Sequence, residues 1–196
     1  MNWLNVQGLK IRYFVQGEGD NIVFLHGYSF NIETWLSINV IEELSKNYKV
    51  FAIDMPYGLR SKSDKFYSNN RDEYADFLNK IFLELNIISP IIIGASISGE
   101  VTLRYILRKY DARAAVVIAP SGISEIEEKL SEIKIPLLIV WGDRDDLIPL
   151  RNAYILKEKV KNSQLKIINN AKHACYLDKP DEFKGILKEF LLSLEK

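Results

Sequence analysis

A wholly apolar run meets a turn of small residues in Pro90-Ile91-Ile92-Ile93-Gly94-Ala95-Ser96-Ile97-Ser98-Gly99. An apolar run without alternation predicts a strand buried on both faces, as in a parallel sheet. Apolar residues at helical spacing follow Gly99, so the small residues mark a sharp strand-to-helix turn. A serine on such a turn exposes its hydroxyl, which makes Ser96 a candidate nucleophile.

The same alternation of apolar runs and amphipathic stretches extends outward along the chain. Strands are predicted at residues 9–15, 22–25, 50–53, 90–93, 114–119, 137–141 and 165–168. Helices are predicted at residues 32–44, 71–85, 99–110, 150–160 and 180–194. This order predicts an α/β fold, a mostly parallel sheet with helices on both faces. Function in such folds lies at the carboxyl ends of strands, which points to His26, Asp54, Ser96, Ser121, Asp145 and His173.

The composition excludes several classes of protein. The chain has 196 residues with 26 basic and 26 acidic side chains, so its formal charge is zero. This length predicts a single domain over residues 1–196. A neutral chain lacks a bulk attraction to nucleic acid or anionic lipid. No apolar run approaches the ~18 residues that span a bilayer, and the first residues do not resemble a signal peptide. We therefore expect a cytoplasmic protein with neither nucleic-acid nor membrane partners.

A single cysteine, Cys175, and two histidines limit the chemistry further. One cysteine cannot form an internal disulfide, and one cysteine with two histidines supplies few of the ligands that a zinc site uses. We therefore expect no metal and no cofactor. The serine needs a base, and the imidazole could come from His26 or His173. A loop with three aspartates, at 143, 145 and 146, precedes the last strand.

The order serine, aspartate, histidine suits a catalytic triad. Each part also has a purely structural interpretation. The segment around Ser96 could be a glycine-rich turn with serine caps, the aspartate loop could supply the N-cap of the following helix, and His173 could be a surface residue.

Together these motifs resemble the α/β-hydrolase family over nearly the whole chain. Leu25-His26-Gly27-Tyr28 is similar to the family's oxyanion loop. Residues 54–61 are similar to its Asp-x-Pro-Gly-x-Gly-x-Ser loop, with the glycines displaced. Residues 94–99 are similar to the nucleophile elbow Gly-x-Ser-x-Gly, except that Ser98 replaces the second glycine. Residues 142–149 are similar to the acid loop, and His173 with Pro180 and Phe183 to the histidine loop and closing helix.

The resemblance implies a role for each matching residue. Ser96 would be the nucleophile, His173 the general base and acid, and Asp145, rather than its neighbours, the residue that holds the imidazole. The backbone N–H groups of Tyr28 and Ile97 would form the oxyanion hole. His26, Gly27 and Ser98 would lie behind these groups, with His26 shaping the oxyanion loop through hydrogen bonds.

The segment between residues 120 and 135 has room for only one helix, near 125–131, and not for an inserted cap domain. This resembles the small capless members, including a subgroup with a Ser-x-Ser-Gly elbow. A capless site is open and should favour small, soluble acyl substrates. The expected wall residues are Tyr28, Phe30, Tyr57, Ile97, Ile123, Leu147, Ile148 and Cys175. Ordinary core packing is the alternative for these side chains, and for Cys175 the favoured one.

Three functional hypotheses follow. The first is a serine hydrolase, of the carboxylesterase type (EC 3.1.1), that cleaves small carboxylic esters or related acyl substrates through an acyl-enzyme on Ser96. The second is a non-catalytic scaffold that binds a ligand or protein, suggested by Ser98 and the displaced glycines. The third is a thioesterase or acyltransferase with the same triad. Dehalogenases and epoxide hydrolases of this fold need an aspartate where Ser96 stands. The sequence leaves the oligomeric state open.

Overall fold

The computed structural model of the chain describes residues 1–195 and contains one eight-stranded sheet. The strands are β1 (Asn2–Val6), β2 (Leu9–Gln16), β3 (Asn21–Leu25), β4 (Lys49–Ile53), β5 (Ile91–Ala95), β6 (Ala114–Ile118), β7 (Leu137–Gly142) and β8 (Ser163–Ile168). Their spatial order is β1-β2-β4-β3-β5-β6-β7-β8. β2 runs antiparallel to both of its neighbours, β1 and β4. The other six strands, which are β4, β3, β5, β6, β7 and β8 in spatial order, run parallel to one another.

Helices cover both faces of this sheet. They are α1 (Ile32–Ser37), α2 (Val40–Leu44), α3 (Arg71–Glu84), α4 (Ile97–Leu107), α5 (Ile123–Ile126), α6 (Arg151–Lys159), α7 (Cys175–Asp178) and α8 (Pro180–Ser193). Alternate residues of the central strands pack on α1, α2 and α8 on one face. The intervening residues pack on α3, α4 and α6 on the other face. The continuous apolar strands of the sequence are thus explained by burial on both sides.

The structure confirms the α/β-hydrolase fold and differs from the sequence prediction in three elements, one of which is the short helix α7, where no helix was predicted. The predicted helix at 32–44 is two helices, because Asn39 adopts a left-handed backbone conformation (φ 59°) between α1 and α2. Asparagine tolerates this conformation better than most residues. The strand β1 was not predicted. Its residues are mostly exposed and it pairs only with β2, so it lacks the apolar run that marks the central strands.

The connection from β6 to β7 contains α5 and a short 3-10 helix over Glu127–Glu132. This connection is therefore one short helical segment, and residues 1–195 contain no inserted cap domain, as the sequence predicts. Among the same residues, no helix combines the length and apolar character needed to cross a bilayer. Because the described residues form no cap domain, the carboxyl ends of β3, β5, β7 and β8 open directly to the surface.

Candidate active site

Ser96 lies on a strained turn between β5 and α4. Its backbone has φ 55° and ψ −120°, a region that a non-glycine residue occupies at a cost of about 1–3 kcal/mol. The turn is held by its own peptide groups. The Ser96 N–H donates to the carbonyl of Ile118 (2.8 Å), and its carbonyl accepts from Glu100 (3.1 Å) and Ser121 (3.3 Å). This is the geometry of a nucleophile elbow, which presents the serine side chain at the sheet edge.

Small residues beside Ser96 are required by close packing. A Cβ atom at Gly94 would lie 2.4 Å from the Ser98 carbonyl oxygen, so any side chain there would push α4 away from β5. A Cβ atom at Gly99 would lie 2.9 Å from Cβ of Pro120. The first residue of α4, Ile97, leaves its N–H without an intrahelical partner, as helix starts do.

His173 and Asp145 form a hydrogen-bonded couple. The Nδ1 atom of His173 lies 2.8 Å from Oδ2 of Asp145, whose side chain is fully buried. The other carboxylate oxygen, Oδ1, accepts from the N–H groups of Leu147 and Ile148, both at 2.9 Å. Asp145 is therefore the aspartate of its loop that meets the imidazole. Because Nδ1 is engaged, Nε2 is the nitrogen that remains for proton transfer.

Its neighbour Asp143 has a different position. It joins the acid loop to the histidine loop, since its Oδ1 accepts from the Ala171 N–H (3.3 Å) and the Arg144 N–H donates to the Ala171 carbonyl (2.9 Å). A Cβ atom at Gly142 would lie 2.3 Å from that carbonyl oxygen. The close approach of the two loops fixes where His173 enters the site.

The loop after β3, which the resemblance predicts to be the oxyanion loop, is shaped by His26, which is fully buried. Its Nδ1 atom lies 2.8 Å from the Gly27 carbonyl oxygen, and its Nε2 accepts from the Met55 N–H at 2.9 Å. Nε2 must be the unprotonated nitrogen, so Nδ1 carries the proton and donates. Burial lowers the pKa of His26, which keeps the ring neutral. The N–H groups of Tyr28 and Ile97 donate to no group within residues 1–195.

These parts meet at one small cavity of about 190 Å³. Its lining residues are Gly27, Tyr28, Ser29, Phe30, Ala95, Ser96, Ile118, Leu147, His173, Ala174 and Tyr176. The cavity thus brings together Ser96, His173 and Tyr28, and most of its wall is apolar. No group of three or more His, Cys, Asp or Glu side chains among the described residues could hold a metal. A serine hydroxyl, an imidazole–carboxylate couple and free N–H donors can perform nucleophilic acyl transfer.

Comparison with known proteins decides the family. A family model described as "alpha/beta hydrolase fold" matches residues 20–128, more than half of the chain. The chain belongs to the α/β-hydrolase family. Mouse "Protein ABHD14A" is 30% identical over 174 residues, which cover 87% of this chain and 69% of that protein. The human "Putative protein-lysine deacylase ABHD14B" is 29% identical over 197 residues, covering 96% and 92%.

Solved structures of α/β hydrolases superimpose closely. A "predicted CIB-like hydrolase" from Thermoplasma acidophilum has a TM-score of 0.91 at 24% identity, with 97% of this chain and 96% of that chain covered. A meta-cleavage product hydrolase from Pseudomonas fluorescens IP01 has a TM-score of 0.88 at 17% identity, with 98% of each chain covered. At these identities the likeness shows the fold.

For this hydrolase the structure places five expected wall residues outside the cavity lining. Tyr57, Ile123 and Cys175 are buried in the core, and Ile148 packs against the core beside α6. Burial raises the pKa of the Cys175 thiol to about 12, so it is a packing residue and not a reactive thiolate. The fifth is Ile97, which belongs to the buried core. The other three expected wall residues, Tyr28, Phe30 and Leu147, line the cavity.

Tyr176 forms part of the cavity wall, although its position in the sequence did not indicate this. Its ring stacks on Trp35 at 4.6 Å and meets Phe30 edge-on at 6.5 Å. Its only signal in the sequence is its place three residues after His173. An aromatic residue there is equally expected in the core, so position alone could not distinguish the two.

Asp54, another strand-end candidate from the sequence, joins β2, the start of α1 and the segment around Lys62. Its fully buried carboxylate accepts from the Arg12 Nε at 2.6 Å, from the Ile32 N–H at 2.8 Å and from the Lys62 N–H at 3.0 Å. It thereby caps the start of α1. Arg12 also binds Glu33 through both terminal nitrogens, which lowers the pKa of that carboxyl to about 2.

Removing this carboxylate should strongly destabilise the protein. Asp54→Ala leaves the Nε of the buried Arg12 and the N–H groups of Ile32 and Lys62 without their acceptor, and we expect a loss of about 3–5 kcal/mol in the free energy of unfolding. Asp20→Ala is the matched control, because Asp20 pairs with Arg113 on the surface, where such pairs contribute less than about 1 kcal/mol. Urea unfolding followed by circular dichroism measures both. Equal losses in the two variants would contradict this account of Asp54.

Proposed function

We propose that this α/β hydrolase is a serine hydrolase that cleaves small carboxylic esters and related acyl groups through an acyl-enzyme on Ser96. The observation that carries the proposal is the meeting of Ser96 and the Asp145-bound His173 at one cavity. The strained backbone of Ser96 and the free N–H groups of Tyr28 and Ile97 support it. A non-catalytic scaffold would have no need of this combination.

The proposed reaction proceeds in two acyl transfers. Ser96 Oγ attacks the carbonyl carbon while its proton passes to His173 Nε2, and Asp145 stabilises the imidazolium that forms. The Tyr28 and Ile97 N–H groups donate hydrogen bonds to the carbonyl oxygen and stabilise the negative charge that develops on it. Collapse of the intermediate breaks the bond to the leaving alcohol, which takes the proton from His173. Water then attacks the acyl-enzyme, with His173 as its base, and the carboxylic acid leaves.

The dimensions of the cavity support a small acyl group. Its volume of about 190 Å³ is below the ~300–1,000 Å³ usual for drug-sized ligands. Phe30, Ile118 and Leu147 supply an apolar wall. The absence of a cap within the described residues leaves the mouth open, and Leu147 at this mouth is 72% exposed. Short acyl chains fit such a site, whereas long chains would extend into water.

A second candidate substrate is a short acyl group on a lysine side chain. It is favoured by the name of the human relative ABHD14B and by the uncovered mouth of the cavity. An open mouth would admit a side chain carried by a protein, with only its acyl end inside. The same acyl-enzyme would form, and the leaving group would be the lysine amine.

Hydrolysis of p-nitrophenyl esters from acetate to decanoate tests the proposal, with an acetyl-lysine peptide as a parallel substrate. We expect kcat/KM to rise from acetate to butyrate and to gain nothing further by decanoate, because CH₂ groups outside the cavity stay in water and add none of the about 0.8 kcal/mol that burial of each CH₂ supplies. A fluorophosphonate should label Ser96. A folded protein that neither turns over these substrates nor takes the label would contradict the proposal and favour the non-catalytic scaffold.

A further inference from the structure

Two departures from the family's sequence pattern touch each other. Ser98 stands where the elbow pattern has its second glycine, and Tyr57 where the pattern after Asp54-x-Pro has its first. Their side chains come from different loops, yet the Tyr57 hydroxyl lies 2.5 Å from Ser98 Oγ. Tyr57 is 2% exposed and Ser98 is fully buried. Two glycines at these positions would leave this contact unmade.

The direction of each hydrogen bond follows from the partners. Ser98 Oγ also contacts the carbonyl oxygen of His26, which can only accept, so the serine proton is donated there. A hydroxyl has a single proton. The Tyr57 hydroxyl must therefore be the donor to Ser98. Burial raises the pKa of Tyr57, so its phenol keeps the proton that this arrangement needs.

The chain of bonds from Tyr57 through Ser98 to His26 joins the two segments that carry the free N–H groups. Ser98 directly follows Ile97, and the His26 carbonyl belongs to the peptide that precedes Gly27 and Tyr28. The His26 ring holds the same loop from its other side, through the Gly27 carbonyl and the Met55 N–H. The displaced glycine fits here as well, because a Cβ atom at Gly58 would lie 2.3 Å from Cε1 of His26.

We propose that Ser98 and Tyr57 are positioning residues that set the oxyanion loop against the nucleophile elbow, and so fix the spacing of the Tyr28 and Ile97 N–H donors. This inference rests on the proposed function, because it concerns the oxyanion hole of that reaction. Neither side chain lines the cavity. They act through the backbone, and the departure at position 98 strengthens the site instead of marking its loss.

The test is the steady-state kinetics of Ser98→Ala, Tyr57→Phe and the double variant on p-nitrophenyl acetate. Loss of an oxyanion donor costs ~10²–10³-fold in kcat, and a misplaced one less, so we expect each single variant to lose ~10–100-fold. KM should change less than ~3-fold, because the donors act mainly in the transition state. The double variant should lose no more than the worse single variant, since both break one chain of bonds.

Tyr74→Phe is the matched control. Tyr74 is a neighbouring buried tyrosine whose ring meets Tyr57 edge-on at 4.9 Å, and its hydroxyl accepts from the Ser68 N–H, away from the elbow. It removes the same hydroxyl from the same cluster and should keep wild-type kcat. The rate at which a fluorophosphonate labels Ser96 supplies a second readout, and it should slow in parallel with kcat.

The outcomes separate the two proposals. Active wild type with unchanged kcat in Ser98→Ala and Tyr57→Phe would overturn the positioning role alone. So would equal losses in these variants and in Tyr74→Phe, or a fall in kcat/KM that lies in KM, because both indicate a general packing defect. A wild-type protein inert toward both the esters and the fluorophosphonate would overturn the proposed function, and this inference with it.

Discussion

Ser96→Ala is expected to lower kcat on p-nitrophenyl acetate by at least ~10⁴-fold, because it removes the proposed nucleophile while leaving the oxyanion donors in place. The residual rate should be the small enhancement that binding and the two N–H groups supply. KM should change little, since the hydroxyl contributes to the transition state and not to binding of the ester. Stopped assays with purified protein and a blank for spontaneous hydrolysis measure the effect.

Ser121→Ala is the appropriate control for this variant. Ser121 also follows a strand of the sheet, but its hydroxyl donates to the buried Glu100 carboxylate (2.7 Å), and it lies outside the cavity lining. The control should retain activity within a few-fold. Activity that survives in Ser96→Ala at more than a hundredth of the wild-type level would refute an acyl-enzyme on this serine. Loss of activity in the control alone would move the nucleophile to Ser121.

Asp145→Asn should have the second largest effect, a fall of ~10³–10⁴-fold in kcat. The asparagine Oδ1 can still accept from the Leu147 and Ile148 N–H groups, so the loop should keep its shape. Its amide N–H₂ would then face His173 Nδ1 and favour the tautomer that carries its proton on Nε2. That tautomer cannot accept the Ser96 proton. The kcat of this variant, with its unfolding midpoint, separates a catalytic loss from an unfolded loop.

Asp146→Asn is the matched control from the same loop. Asp146 is exposed, and its side chain makes no hydrogen bond within residues 1–195. The control should keep kcat near that of the wild type. If instead Asp146→Asn is inactive and Asp145→Asn is active, the assignment of the acid is wrong. Full activity in both variants would show that a carboxylate is not needed to orient His173.

The central part of the fold could be predicted because its signals are local. The apolar runs that became β3, β4, β5, β6 and β7 are continuous, and burial on both faces is the physical reason for such runs. The edge strand β1 carries no such run and was missed. The break between α1 and α2 depends on the left-handed conformation of Asn39, which apolar periodicity does not reveal.

In the candidate site too, the residues with a local sequence signal could be predicted and the others could not. Ser96, His173 and the aspartate loop stand at strand ends, so the topology of a parallel sheet brings them to one edge. The cavity wall needed the tertiary structure. Tyr57, Ile123 and Cys175 are near the site in sequence, but they turn into the core, whereas Tyr176 turns toward the cavity. Which way a loop side chain turns depends on what packs against it.

The sequence by itself determined the fold class, the position of the elbow and the order of serine, aspartate and histidine, since each depends on a short run of residues and on its neighbouring strand. The motif resemblance already favoured Asp145, and the tertiary structure added its contact with His173, because that contact depends on the approach of two loops to within hydrogen-bond distance. Likewise it revealed the contact between Tyr57 and Ser98, which are 41 residues apart in sequence. Hydrogen bonds between distant segments form only once the sheet has brought those segments together.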